Sequence, residues 1–474
     1  MLATETSPPA AAGRWALDQA QARSIGLFVL SVLAVYALQP AMPIRQMDFW
    51  LPTASLALTV MVWAATSSAF ATHRRPDRAT LTDAALIGGI TLGIAALRFV
   101  EPLSTLITRT SPPAVLSVSA ALAITALLAV AAGRIIGLRP AWTTALVIAL
   151  MALLFVLKYE PLTQAFAALL RVAQGQSASQ ASALDVRWLG FSYICFRWIA
   201  ALRERALGRL PAMSLREFVT YAVFAPALIA GPIDRPERFL KDLRASFAFN
   251  WPDATEGVRR IAVGAFKKFV LADWLALLAL NEVNAAQAQG AGWMWLLVYA
   301  YAWRIYLDFG GYTDMAIGVA RIFGVRLPEN FNRPYLKPNL TQFWNSWHMS
   351  LAQWFRAYYF NPLTRALRMR AWAAPTIIFV GQVTTMVLIG VWHGVTLNFA
   401  LWGLWHGVGL FLHNRWADFA KARLAAMQER PRLQGAISAA GALLTFHFVA
   451  LGWVWFALPD AALSLGVFRK LFGL

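Results

Sequence analysis

The sequence predicts an all-α polytopic membrane protein with roughly 11 to 13 membrane segments, judged from the length of its apolar runs. Of its 474 residues, 59% are hydrophobic. Only 14% are charged, where a soluble domain carries about a quarter. The charged residues are also spaced far apart, with long runs between them that contain none. These three observations exclude an ordinary soluble enzyme, a disordered chain and a fibrous repeat.

Most of the uncharged runs fit one membrane helix, because a bilayer core of about 30 Å needs roughly 20 apolar residues in a helix. Helices are expected because lipid offers no water to satisfy backbone groups. The run 371–414 is long enough for a hairpin of two helices. Less marked candidates lie near 83–100, 188–201, 263–280 and at the C-terminal end. The uncharged runs are 24–44, 49–73, 110–133, 140–157, 218–233, 283–303, 371–414 and 433–459.

Two apolar stretches look too short or too broken to span a membrane. The stretch 221–233 contains Pro226 and ends in Gly231-Pro232, and the stretch 309–314 carries Gly310-Gly311. Irregular backbone at membrane depth is tolerated only against protein or a water-filled cavity. We therefore expect both stretches to line an interior path, the first as a re-entrant segment.

The net charge of +19 reflects membrane orientation rather than nucleic-acid binding. Basic residues cluster in short loops between the predicted spans, which is the pattern of cytoplasmic loops. The clearest clusters are Arg74, Arg75 and Arg78, then Arg134 and Arg139, then Arg203, Arg205 and Arg209. Cys195 is the only cysteine, so no intrachain disulfide can form.

His348 lies in the segment 339–360, which predicts an aromatic, amphipathic helix. Asn339 is placed to cap its start, with Gln342 three residues later. Asn345 lies three residues before His348, so the two side chains could meet on one helix face. An interfacial anchor helix would explain the tryptophans but not the polar pair among them. The residues predicted to share that face are Trp344, Trp347, Leu351, Trp354 and Tyr358.

His393 lies in Gly390-Val-Trp-His-Gly394, inside the long uncharged hairpin. Ionisable residues within a membrane are costly and mark function by default. His406 lies in a near-copy, Gly403-Leu-Trp-His-Gly407, where packing is the favoured interpretation over catalysis. His447, alone in a late span, is expected to be a hydrogen-bonded packing residue, and His73 and His413 are expected at the surface.

Three charged residues near Gly310 are candidates for supporting roles. Arg304 and Asp308 are spaced i, i+4 in an apolar span, so we expect them to neutralise one another. Asp314 either orients a histidine or begins a helix. No cluster in the sequence has the spacing of a metal site.

The sequence contains no GxSxG, HExxH, Walker A or GxGxxG motif. Acyl transfer remains possible without an enzyme nucleophile. A histidine can take the proton from an acceptor hydroxyl as that hydroxyl attacks a thioester. Asn side chains or backbone N–H groups can bind the oxyanion.

Five motifs occur in an order that resembles the membrane-bound O-acyltransferase family, in its bacterial branch of proteins for alginate O-acetylation and teichoic-acid D-alanylation. The resemblance covers about 218–407. The motifs are Gly231-Pro-Ile-Asp-Arg235, Tyr306-Leu-Asp-Phe-Gly-Gly-Tyr-Thr-Asp-Met-Ala316, Asn330-Phe-Asn-Arg-Pro-Tyr335, Phe343-Trp-Asn-Ser-Trp-His-Met-Ser-Leu351 and Gly390-Val-Trp-His-Gly394.

The resemblance implies a helical ring with broken helices around a central tunnel, with a donor opening in the cytoplasm and an acceptor funnel opposite. It implies that His393 is the central catalytic histidine and His348 a second histidine on the donor side, toward the other face. It also implies a bacterial inner membrane. Because the sequence shows no long-period repeat and no low-complexity linker, we expect one membrane domain. Within that domain we expect an N-terminal tail (1–23), N-terminal helices (24–217), a catalytic core (218–414) and C-terminal helices (415–474).

The resulting hypothesis is transfer of an acyl group, most simply acetyl, from a cytoplasmic thioester to a hydroxyl of an envelope polysaccharide. The donor would be acetyl-CoA or an acyl carrier protein, with no bound cofactor or metal. The acceptor would receive the acyl group directly or through an extracytoplasmic relay protein of acyltransferase or esterase type. Supporting residues are expected to be Asn345, Asp308, Asp314, Trp344 and Trp392, and donor contacts Arg333, Lys337 and Arg356.

Three alternatives stay open. The first is D-alanyl transfer from a carrier protein to a teichoic-acid-like polymer or a relay protein. The second is a polysaccharide or lipid transporter in which the histidines relay protons. The third is a scaffold within a polysaccharide synthase.

Overall fold

The computed structural model describes residues 19–67, 76–136, 140–426 and 431–474, and these residues form an all-α protein. The predicted fold class is confirmed. Most of the N-terminal tail (1–23), His73, Arg74, Arg75 and Arg139 lie outside the described residues. The first ten helices are α1 Gln19–Ala37, α2 Met47–Thr66, α3 Arg78–Ala96, α4 Val115–Ile136, α5 Pro140–Val156, α6 Glu160–Ala173, α7 Phe191–Ala206, α8 Leu215–Ala222, α9 Pro236–Arg244 and α10 Trp251–Ala265.

The second half begins with short helices and continues with long ones. A π-helical turn, Phe266–Ala272, joins α10 to the next helix, and another, Arg356–Phe360, separates α15 from α16. The remaining helices are α11 Asp273–Leu278, α12 Glu282–Gln287, α13 Ala291–Ile322, α14 Leu340–Trp344, α15 Met349–Phe355, α16 Asn361–Met369, α17 Ala374–His393, α18 Leu397–Ala426, α19 Pro431–Ala457 and α20 Ala461–Phe472.

Within the described part of the chain, six helices are long and apolar enough to cross a membrane: α1, α2, α3, α4, α17 and α19. A seventh span is possible if α5 and α6 count as one, although they meet at a bend of 93°. The count is smaller than the 11 to 13 segments expected. Several apolar stretches form short or broken helices, and α13 and α18, although long, are not among the six.

The stretch 221–233 is broken, as its proline and glycine predicted. After α8 ends at Ala222, the chain makes only a single 3₁₀ turn, Ala225–Ala227, before α9. Arg197 on α7 lies fully buried beside it and donates to the carbonyl oxygens of Ala222 (2.9 Å) and Ala227 (2.6 Å). The guanidinium group thus satisfies backbone acceptors that an interrupted helix leaves free.

The stretch 309–314 is not broken, which corrects the expectation. It lies inside α13, a continuous helix of 32 residues. Gly311 instead permits close packing against α10, because a Cβ on it would lie 2.6 Å from the carbonyl oxygen of Gly264. Small residues at this crossing let two helix backbones approach closely.

The predicted helix 339–360 is interrupted in the middle. Asn339 caps its start as expected, since its side chain accepts from the backbone N–H of Gln342 (2.9 Å). The helix then ends at Trp344, and His348 takes the left-handed conformation (φ 42°, ψ 54°) before α15 begins. The expected hairpin at 371–414 is present as α17 and α18.

Candidate active site

His348 and His393 line one interior cavity of about 230 Å³, which we call the histidine chamber. Its wall is largely aromatic and comes from α13, the turn between α14 and α15, the α17–α18 hairpin and α19. The two broken or glycine-containing stretches contribute Ala230 and Phe309, so both line an interior cavity as predicted.

His393 is the last residue of α17, where the chain turns into α18. Its ring centroid lies 4.5 Å from that of Trp392, 4.8 Å from that of Phe456 and 5.8 Å from that of Trp402. The turn itself is tight: a Cβ on Gly394 would lie 2.5 Å from the Phe399 ring, so a larger residue there would have to displace that ring. The glycine thus allows the close packing of Phe399 beside the end of α17.

The His348 imidazole is held in place by the backbone around it. The Asn330 carbonyl oxygen accepts from the Met349 N–H (3.0 Å). Its side-chain oxygen accepts from both the N–H (3.2 Å) and the hydroxyl (2.6 Å) of Ser350. The Ser350 hydroxyl in turn accepts from the N–H of Ile233 (3.0 Å). These bonds stabilise a left-handed conformation that is costly for a residue other than glycine.

Four ring nitrogens in the chamber wall have no hydrogen-bond partner among the described residues. They are Nε2 of His348 and the indole nitrogens of Trp344, Trp392 and Trp402. Buried polar atoms are normally hydrogen-bonded, so such a group calls for an explanation. The arrangement leaves indole N–H donors available to a substrate oxygen in the aromatic wall of the chamber.

The structure places His348 and His393 in the wall of the same cavity. Trp392 lies near both, with ring centroids 6.4 Å from His348 and 4.5 Å from His393. Phe309 also packs against the His348 ring, with centroids 4.6 Å apart. The two histidines, expected toward opposite faces, therefore share one chamber.

Asn345 does not bind His348, which corrects the expected pair. The break in the helix turns the Asn345 side chain outward, where its oxygen accepts from the Arg356 guanidinium (2.6 Å). Both residues line a cavity of about 140 Å³ that also borders Trp344, a residue of the chamber wall. Arg333 and Lys337 line neither of these two cavities.

The expected pair of Arg304 and Asp308 is wrong, and Asp314 does not orient a histidine. The Asp308 carboxylate pairs with Lys268 (3.0 Å). Asp314 pairs with Lys267 (2.7 Å) and lies 3.7 Å from Arg260. All three basic residues belong to α10 and the π-helical turn after it. Both carboxylates therefore join α13 to α10 and take no part in the chamber.

The other described histidines lie outside the chamber. His406 is fully buried behind Trp344 and Trp402, with ring centroids 5.1 and 5.0 Å away. His447 has the hydrogen bonds expected of a packing residue, to the Tyr299 hydroxyl (2.8 Å) and the Leu443 carbonyl oxygen (2.8 Å). His413 bonds to Thr341 (3.1 Å) and is partly buried rather than at the surface.

Sequence reasoning did not single out Asn330, Ser350 or Arg197. Asn330 and Ser350 lie inside the quoted motifs, so the motifs marked their importance without indicating what they do. Arg197 had a signal of its own, as a lone cation in an otherwise apolar stretch.

The described residues contain no group of three His, Cys, Asp or Glu side chains placed to hold a metal ion.

Comparison with known proteins extends the resemblance beyond the five motifs. The sequence model of the membrane-bound O-acyltransferase family matches residues 141–452. The chain is 30% identical over 277 residues to the teichoic acid D-alanyltransferase of Bacillus subtilis, covering 57% of this chain and 69% of that protein.

Two further relatives have acetyl-transfer names. The chain is 33% identical over 288 residues to a probable alginate O-acetylase of Pseudomonas aeruginosa, covering 60% of this chain and 51% of that protein. It is 30% identical over 289 residues to a peptidoglycan O-acetyltransferase of Helicobacter pylori, covering 58% and 52% respectively. The chain thus spans about half the length of these two relatives. The fold, the chamber and the family match lead to one conclusion: this multi-pass membrane protein belongs to the membrane-bound O-acyltransferase family and is an O-acyltransferase.

Proposed function

We propose that this O-acyltransferase moves an acyl group, most simply acetyl, from a cytoplasmic thioester to a hydroxyl of an envelope or exported polysaccharide. The observation that carries the proposal is the histidine chamber, where two imidazoles and unpartnered indole N–H groups surround one small cavity. Such a chamber suits a reaction that needs a base and an oxyanion site but no enzyme nucleophile.

In the proposed reaction, the His393 imidazole takes the proton of the acceptor hydroxyl as its oxygen attacks the thioester carbonyl carbon. The oxyanion of the tetrahedral intermediate accepts a hydrogen bond from the indole N–H of Trp392. When the C–S bond breaks, the imidazolium gives its proton to the leaving thiolate. The products are an ester and a free thiol, and His348 positions the acyl group beside Trp392.

On the donor side, we propose that the thioester approaches along the small cavity that borders Asn345, Arg356 and Trp344. The Arg356 guanidinium would bind an anionic group of the donor, with Arg333 and Lys337 as further contacts from the preceding loop. Acetyl-CoA and an acylated carrier protein share the phosphopantetheine arm that this route would accept. No bound cofactor or metal takes part in the proposed reaction.

On the acceptor side, we propose an extracytoplasmic polysaccharide, reached directly or through a relay protein of acyltransferase or esterase type, at a bacterial inner membrane. The names of the alginate and peptidoglycan relatives favour acetylation. D-alanyl transfer from a carrier protein is the second candidate, because the chain covers 69% of the teichoic acid D-alanyltransferase of Bacillus subtilis.

The test is the acyl content of the cell envelope, measured by mass spectrometry of base-released acids in cells without the protein and in cells that express one of three forms. We expect wild type to raise ester-linked acetate or D-alanine, and His393→Ala to lose the increase, since general bases contribute roughly 10²- to 10⁴-fold. The matched control is His406→Phe, a buried histidine in the same five-residue pattern but outside the chamber. It should retain the increase.

The alternative functions give different results in the same experiment. A scaffold predicts that His393→Ala matches wild type. A transporter with a proton relay predicts no rise in esters even with wild type, whereas substrate export would change with the His393 variant. Either result would overturn the proposed reaction, and the released acid distinguishes acetylation from D-alanylation.

A further inference from the structure

A second, larger cavity lies next to the histidine chamber and shares Trp392 with it. This apolar slot has a volume of about 420 Å³ and is lined mainly by side chains of α5, α7 and α17, among them Val147, Leu154, Phe155, Ile199 and Leu388. Phe155 and Leu388 are 44% and 36% exposed. The slot therefore lies at the outer surface of the helical bundle, where the surrounding medium is lipid.

At one end of the slot lies a polar cavity of about 530 Å³, the arginine basin. It is lined by Arg203, Arg209, Arg235, Arg365, Glu204 and Glu237. Glu204 is neutralised by Arg209 (3.1 Å) and accepts from the Tyr358 hydroxyl (2.9 Å). Arg203, Arg235, Arg365 and Glu237 form no ion pair with any described residue, so the basin retains two net positive charges.

The slot and the basin are adjacent, because Arg203 and Tyr358 line both. The slot follows α5 from Val147 to Phe155, which is about 12 Å at roughly 1.5 Å per residue. That length is most of the depth of one leaflet in a hydrocarbon core about 30 Å thick. The basin also includes Arg203 and Arg209, whose loop the sequence predicts to be cytoplasmic.

We infer that the slot and the basin together bind one anionic phospholipid of the cytoplasmic leaflet. Its phosphate would be bound by Arg203, Arg235 and Arg365, since one guanidinium group can donate two parallel hydrogen bonds to a phosphate. Basic pockets between membrane helices are also known to bind lipid headgroups. One acyl chain would fill the slot and end against Trp392. The lipid would thus support the wall of the chamber from behind.

The lining of the slot favours a phospholipid over the thioester donor. A phosphopantetheine arm carries amide groups, which cost free energy when buried without hydrogen-bond partners. The slot offers such an arm few polar groups between Arg203 at one end and Lys158 at the other. The Lys158 ammonium lies over the Trp392 ring, 5.4 Å from its centroid, and so marks the polar end of the slot. It also lines a neighbouring cavity of about 370 Å³ with Arg187 and Ser192.

The experiment measures lipid retention by native mass spectrometry after purification from membranes that contain phosphatidylglycerol and phosphatidylcholine. We expect wild type to keep one phosphatidylglycerol. In the triple variant Arg203→Gln/Arg235→Gln/Arg365→Gln, the fraction of protein that keeps the lipid should fall about tenfold or more. This expectation rests on the usual contribution of each arginine to the binding free energy of an anionic lipid. Val147→Phe, which fills the slot without changing charge, should also lower retention.

The control is Arg134→Gln/Arg259→Gln/Arg326→Gln, which removes the same charge from exposed positions outside the basin. Equal retention by the two triple variants, or equal retention of phosphatidylcholine by wild type, would overturn the inference. Displacement of the lipid by acetyl-CoA would also overturn the inference and assign the basin to the donor. Displacement by inorganic phosphate alone would overturn it as well and make the basin a phosphate site. None of these readouts depends on acyl transfer, so a failure here leaves the proposed reaction untouched.

Discussion

Trp392 is the residue that connects the two histidines, because its ring lies beside both of them and its indole N–H has no described partner. If that N–H binds the oxyanion, Trp392→Phe removes the donor and keeps an aromatic ring, although a smaller one. Loss of one oxyanion donor costs roughly 10²- to 10³-fold in kcat. We expect a fall of that order in transfer measured with purified protein, and an unchanged affinity for the thioester.

The control for this substitution is Trp416→Phe, which removes an indole N–H from an exposed tryptophan outside the chamber. It should leave kcat unchanged. Equal activity of Trp392→Phe and wild type would exclude Trp392 as the oxyanion donor and would direct attention to Trp344 and Trp402.

Asn330 is expected to act through His348 as a positioning residue. Asn330→Ala leaves the N–H and hydroxyl of Ser350 without their acceptor, at a cost of about 1–3 kcal/mol. The Asn330 side-chain oxygen stabilises the left-handed turn at His348. We therefore expect kcat to fall by a larger factor than the decrease in the fraction of folded protein. Asn330→Asp keeps an acceptor oxygen and should recover part of the activity.

The measurement for Asn330 pairs the thermal unfolding midpoint with kcat and KM for each variant. If Asn330→Ala lowers only the unfolding midpoint and leaves kcat of the folded fraction intact, the residue supports the fold alone. If Asn330→Asp is no better than Asn330→Ala, the acceptor oxygen is not what positions His348.

At the scale of single residues, the sequence identified both histidines of the chamber but not how they are held. His393 could be predicted because an ionisable group in an apolar setting is costly and needs a reason. His348 was singled out by the polar pair it was expected to form with Asn345 among tryptophans, and by the family resemblance. The bonds from Asn330 to Met349 and Ser350 could not be predicted, since they join positions about 20 residues apart through an irregular backbone. The Arg304–Asp308 pair failed because Lys268 on another element is the partner of Asp308.

Among the helices, the contact of α10 with α13 shows how a glycine pattern can be misread. Gly310-Gly311 suggested a broken helix, but the helix is continuous and Gly311 faces Gly264. Gly311→Ala would place a methyl group 2.6 Å from a carbonyl oxygen. Overpacking of this kind costs about 1–3 kcal/mol, so the thermal unfolding midpoint should fall.

Gly292 offers the matched control, because it lies on the same helix with open space around its Cα. Gly292→Ala should leave the midpoint unchanged or raise it slightly, given the better helix propensity of alanine. A similar fall for both variants would mean that close packing against α10 is not the reason for Gly311.

The segment 339–360 shows where periodicity stops being informative. Its aromatic spacing predicted one helix, and the residues do pack inward: Trp344, Trp347, Leu351 and Trp354 are all buried. The break at His348 could not be predicted from spacing, because the bonds that stabilise it come from Asn330, outside the segment. The same break explains why Asn345 meets Arg356 instead of His348.

At the scale of the whole molecule, the contacts at the two ends of α1 show which loops lie at the same face of the membrane. Arg23 at the start of α1 donates to the carbonyl oxygen of Asp242 (2.9 Å), so α1 begins near Ser246. The chain just beyond α1 meets the 174–182 loop, where the Gln176 amide donates to the Pro43 carbonyl oxygen (3.1 Å). Since α1 has 19 residues and spans about 28 Å, these contacts lie at opposite faces.

Cysteine labelling tests this orientation with little background, because Cys195 is the only cysteine and is fully buried. Ser177 and Ser246 are both exposed. In intact cells, a membrane-impermeant maleimide should label Ser177→Cys, whereas Ser246→Cys should react only after the membrane is permeabilised. We expect this pattern because the loops on the same face as Ser246 contain an excess of arginine, and arginine-rich loops remain in the cytoplasm. The reverse pattern would place the arginine basin and the proposed donor route outside the cell, where no cytoplasmic thioester could reach them.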